Sequence, residues 1–78
     1  MSAIALGTAI HLRSLAAGLK SQVERMEKNM GHREMLFKDY NDSHVLDAYT
    51  RVIDADTDRI MRRVAAIKEE ILRMRGEA

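Results

Sequence analysis

Leu46, Ile53, Ile60, Ile67 and Met74 recur every seven residues in this chain, and Thr50, Thr57, Val64 and Ile71 fall between them. Each member of the second row stands four residues after one member of the first and three before the next. An unbroken heptad seam of this length specifies a long α-helix with one narrow stripe to bury. Such a stripe is satisfied by another helix laid alongside it. The pattern specifies a pairing and no chemistry.

A partner stripe lies in the same chain. Ala5, Ala9, Leu12, Ala16, Leu19, Val23, Met26 and Met30 are spaced alternately four and three residues apart. Small Ala in one row lets two helix axes come close. The phase continues past Gly31 to Arg33, Phe37 and Tyr40. The strongest turn chemistry is at Asn41-Asp42-Ser43, three residues that favour turns and helix starts. A glycine inside a helix costs only about 1 kcal/mol, so Gly31 does not force a break. The sequence therefore predicts an all-α fold, a long antiparallel helical hairpin within one domain spanning 1–78. Its first helix runs over about 3–40, capped by Ser2, its turn over 41–43 and its second helix over about 44–75. A three-helix arrangement with a break at Gly31 is the alternative. If the chain reverses at Asp42, residue i faces roughly residue 84 − i. That register sets Met30 by Ile53, Val23 by Ile60 and Leu12 by Ile71, and both seams are then expected to close on each other.

Composition agrees and excludes some classes. The chain has 78 residues with no Pro, Cys or Trp, and Phe37, Tyr40 and Tyr49 are its only aromatics. Without Cys there is no disulfide and no thiolate metal site. A net charge of +1 argues neither for a general nucleic-acid binder nor for an acidic tail. The most apolar stretch, Ala3 to Leu12, is too short to span a bilayer. No acid precedes Glu24, a composition shared with organellar presequences; a helix continuing the heptad seam explains it more simply, and a cytoplasmic protein is the expectation.

A two-helix hairpin buries one stripe per helix and rarely suffices alone. Ile4, Leu6, Ile10 and Leu15 lie off the seam near the N-terminus, and Val45, Tyr49 and Val52 form an off-seam strip near the turn. Apolar strips of this kind mark interfaces. The expected function is a non-enzymatic protein-interaction module: a small adaptor, chaperone or assembly subunit that pairs with itself, as a homodimer and four-helix bundle, or docks a helical partner protein. Charge offers a second reading. In a hairpin the open end holds residues 1–19 and 59–78, where seven Arg and Lys against three Glu leave +4. The span 20–58 holds six Arg and Lys against nine acids, leaving −3. The basic end, with Arg59, Arg62, Arg63, Arg73 and Arg75, suits a phosphate backbone, although no aromatic stacking platform accompanies it. A membrane-surface or organelle-directed helix is the third reading.

The candidate chemistry is thin. Asp54-Ala55-Asp56-Thr57-Asp58 alternates acids as a calcium loop does, but Arg59 stands where that loop needs Gly and Ala65 where it needs Glu. A solvated acidic face is the expectation. His11, His32 and His44 have no His or carboxylate at i,i+4 that would place two ligands on one helix face. Arg33 falls on the seam, where an unpaired cation is costly; the register places it near Thr50, as a polar residue that fixes alignment. No catalytic residue, metal ligand or cofactor is expected.

Overall fold

The computed structural model describes the backbone of residues 3–39 and 41–77 and the side chains of residues 6–39 and 41–76. Ser2 and Tyr40, and the side chains of Ile4 and Ala5, lie outside these. Two helices make up the rest, α1 (Ala3–Asp39) and α2 (Ser43–Glu77). They lie against each other as an antiparallel hairpin. Helix α1 runs unbroken through Gly7, Gly18 and Gly31, so the alternative with a third helix is excluded.

The fold line is built by two side chains suited to it. Asn41 has φ 50°, the left-handed conformation that Asn tolerates better than most residues. Its N–H reaches back to the Leu36 carbonyl at 3.0 Å, closing the last turn of α1. Asp42 then caps α2. Its Oδ1 accepts from the N–H groups of His44 at 2.9 Å and Val45 at 3.4 Å, while its own carbonyl accepts from Leu46 N–H at 3.0 Å. Ser43 is thus the first residue of α2 and not part of the turn, one position earlier than the sequence predicts. Lys38 and Arg75 sit in the last turns of α1 and α2, where the helix dipole favours a cation.

The register follows the 84 − i rule. Asn29 bonds Asp56, Gln22 bonds Arg63 and Arg33 bonds Thr50 across the hairpin. The rotation of the helices differs from expectation. Leu12, Leu19 and Met26 of α1 and Leu46, Ile53, Ile60 and Ile67 of α2 turn toward the opposite helix, as the seams require. Most of the second row of each seam does not, although Ala9 and Thr57 are half-buried and the Thr57 hydroxyl lies 3.7 Å from Met26 Sδ on α1. Val23, Met30 and Phe37 remain 38%, 46% and 55% exposed, and Val64 and Ile71 stay largely open as well. Their places between the helices are taken by residues one position earlier: Thr8, Leu15, Gln22, Asn29 and Leu36 on α1, and Tyr49, Asp56, Arg63 and Glu70 on α2. Most of these are polar: Gln22 pairs with Arg63 and Asn29 with Asp56 across the hairpin, and Glu70 pairs with His11 and Arg73. Gly18 makes room for one of them, because a Cβ there would lie 2.7 Å from Arg63 Cζ.

The result is a rod of 57 × 14 × 11 Å with little interior. Among the described residues Leu46 is the only apolar side chain that is buried. The radius of gyration is 17.6 Å, against about 11–12 Å for a compact domain of this length.

Two substitutions test these local assignments. Asp42→Ala removes the cap and is expected to cost about 1 kcal/mol in urea denaturation. Gly31→Ala meets open space inside a helix and is expected to stabilise by about 0.5–1 kcal/mol; a loss of stability would mean that the chain breaks at Gly31.

Candidate functional site

The hairpin presents three distinct sets of side chains: a polar row between the helices, an apolar strip along one face, and scattered apolar residues elsewhere. The polar row supplies two of the hydrogen bonds between the helices. Asp56 is 3% exposed, and its carboxylate accepts from Asn29 Nδ2 at 2.9 Å and from Arg59 Nη1 at 3.1 Å. The sequence predicts a solvated acid here. The helix rotation turns Asp56 inward while Asp54 and Asp58, on either side, remain exposed. Glu70 is buried to the same degree, between His11 Nδ1 at 3.3 Å and Arg73. Arg63 Nε donates to Gln22 Oε1 at 3.0 Å. Every buried side-chain N or O among the described residues has a partner, as burial of polar groups requires.

Arg33 is half-buried, and its Nε donates to Thr50 Oγ1 at 2.9 Å. The Thr50 hydroxyl in turn donates to the Leu46 carbonyl at 2.9 Å, and Thr57 does the same to Ile53. Both threonines thus satisfy their hydroxyls within the helix, and the Thr57 hydroxyl also lies 3.7 Å from Met26 Sδ across the hairpin. The three His residues serve separate local contacts. His11 meets Glu70, His32 stands edge-on to Tyr49 with centroids 6.3 Å apart, and the His44 N–H joins the α2 cap. No three His, Asp or Glu side chains converge on one point among the described residues.

Among the described residues, the off-seam apolar side chains do not gather into one patch. Leu6 and Ile10 are 52% and 60% exposed. Leu15 instead turns toward α2 and lines a groove with Gln22, Arg59, Arg63 and Ala66. Val45 and Val52 are exposed near the turn, and Tyr49 is half-buried against His32. The arginines of the basic end are largely engaged within the chain: Arg59 with Asp56, Arg63 with Gln22, Arg73 with Glu70, and Arg62 with the Asp58 carbonyl at 3.4 Å. Arg75 is exposed.

One apolar strip lies along rows that the heptad pattern assigns to the interior. The outward seam rows of α1 and α2 both lie one position after an inward row. In an antiparallel pair, that offset puts them on the same side of the hairpin. Met30, Phe37, Thr50 and Ile53 accordingly share one groove, with Arg33 and Glu34 at its edge. From that groove the strip continues through Val23 and Val64 to Ile71. The heptad pattern itself was the available signal, since it marks where apolar residues point without saying what covers them.

No known protein family, characterised protein or solved structure matches this chain. No described helix is long and apolar enough to cross a membrane.

The polar row yields a prediction. Asn29→Leu or Asp56→Leu alone leaves a buried polar group without its cross-helix partner and should cost about 1–3 kcal/mol. The double variant should recover most of that loss, because paired apolar groups replace a buried polar pair at little cost. A double-mutant cycle by chemical denaturation checks this; strictly additive losses would show that the two residues do not interact.

Proposed function

We propose that this protein is a non-enzymatic interaction module, a small adaptor, chaperone or assembly subunit that works by pairing helices with itself or with a helical partner. The observation that carries this reading is surface left uncovered. A compact monomer of this mass exposes about 4,800 Å², whereas this chain of 8.9 kDa exposes 6085 Å². The excess, about 1,300 Å², is more than one chain buries in a standard protein interface, roughly 800 Å² per partner. Val, Ile, Leu, Met and Phe side chains along the rod are among the exposed residues. Contiguous apolar surface on a soluble helix pair is costly unless a partner covers it. The inter-helix row is a set of matched hydrogen bonds and ion pairs with a structural purpose, which argues against a catalytic site. The engaged arginines argue against the basic end as the main binding surface.

Circular dichroism melts over a hundredfold range of protein concentration test the reading. If copies pair, the midpoint rises with concentration; if a different protein is the partner, the midpoint rises when that protein is added. A chain that melts at one temperature at every concentration and retains no protein from a host extract would overturn it.

A further inference from the structure

We infer that the covering partner is a second copy of this chain, docked through the Val23–Met30–Phe37 and Val64–Ile71 face with the two hairpins pointing in opposite directions. This names the partner and the geometry within the interaction-module reading, and it rests on that reading.

Periodicity points to a second copy. In a four-helix bundle each helix directs its seam at the bundle axis, and the flanking rows meet the neighbouring helices. The sequence seams of α1 and α2 do not point at each other here. They point obliquely, one row between the helices and one onto the open face, as helices do when the axis of their assembly lies outside the hairpin. The polar row then occupies a flanking position, where hydrogen bonds such as Asn29–Asp56 belong. A face of 57 by 14 Å offers about 800 Å², the per-partner area of a standard interface. Arg33 is the one charged residue in the seam rows, and its Nε is already bonded to Thr50.

Charge fixes the orientation. The next row out on α1 reads Arg13, Lys20, Glu27, Glu34; on α2 it reads Asp47, Asp54, Met61, Lys68, Arg75. All nine residues are exposed. Both rows run from basic at the open end to acidic at the turn end. Two face-to-face arrangements have two-fold symmetry. With the hairpins pointing the same way, α1 lies over α2 of the other copy, and acids meet acids while bases meet bases. With the hairpins opposed, each helix lies over its own copy. Lys20 then faces Glu27, Arg13 faces Glu34, Asp54 faces Lys68 and Asp47 faces Arg75. Met61 meets itself on the two-fold axis. The centres implied by the two helices, midway between Lys20 and Glu27 on α1 and at Met61 on α2, are the same level of the rod under the 84 − i register. Two independent charge patterns thus select one axis. In the single hairpin Glu34 and Asp47 hold only exposed pairs, with Lys38 and Arg51, which are weak and easily exchanged.

The test uses the full chain, which has no native Cys. Sedimentation equilibrium should give twice the 8.9 kDa of one chain. Met61→Cys should form a disulfide-linked dimer under mild oxidation, and Ile10→Cys, off the proposed face, should not. Lys20→Glu should weaken the dimer by about three- to tenfold, and adding Glu27→Lys should restore it, since opposite charges then face each other again. Helicity measured alongside separates loss of pairing from loss of fold. A monomer at every concentration overturns the proposal, as does cross-linking through Ile10→Cys in place of Met61→Cys, or only between Lys20→Cys and Met61→Cys chains. If the chain is monomeric but still retains a host protein, this inference fails while the interaction-module reading stands.

Discussion

A carboxylate that is 3% exposed must have partners, and Asp56 finds them in Asn29 and Arg59. That requirement sets how the two helices are turned. The row of α2 that contains Asp56 also contains Tyr49, Arg63 and Glu70, each seven residues from the next. Once Asp56 faces α1, all four do. Gln22 and Gly18 receive Arg63, His11 receives Glu70, and His32 receives Tyr49. The rotation that satisfies these groups moves Val64 and Ile71 out of the hairpin, and Val23 and Met30 with them. The polarity of the inter-helix row and the apolarity of the open face are two results of one choice.

Register and rotation were unequally legible in the sequence. The alignment of the arms follows from one short signal, Asn41-Asp42, because a fold line fixes every pairing along two equal helices. Arg33 beside Thr50 is a case in point. The unbroken passage of α1 through Gly31 was also legible, from the constant phase of the apolar residues on either side. Rotation was not. A heptad reading treats Asn29, Gln22, Asp56 and Arg63 as outward because they are polar, yet each has a complement at the matching position on the other helix. Complementarity between two polar rows becomes visible only once they are aligned in space. The same blindness made Asp56 look like one member of a solvated acidic run.

The off-seam residues show the converse. Leu6, Ile10 and Leu15 are neighbours in sequence, but only Leu6 and Ile10, one turn apart, share a helix face, and Leu15 lies on another side. Leu15 reaches α2 while Ile10 stands open. Sequence proximity identified an apolar segment, and only the angular positions show which of its residues share a surface.

The tight reversal at Asn41-Asp42 also governs how this molecule assembles in time. Cross-helix bonds close loops of increasing length away from it: Arg33–Thr50 joins residues 17 apart, Asn29–Asp56 residues 27 apart and Gln22–Arg63 residues 41 apart. Loop closure costs about 0.6 kcal/mol more for each doubling of length, so the contacts nearest the reversal are the least demanding to form first. Each completed pair then shortens the free loop left for the next. The hairpin is therefore wired to zip from the reversal toward its termini and to fray in the opposite order, with amide protection from hydrogen exchange declining along the rod.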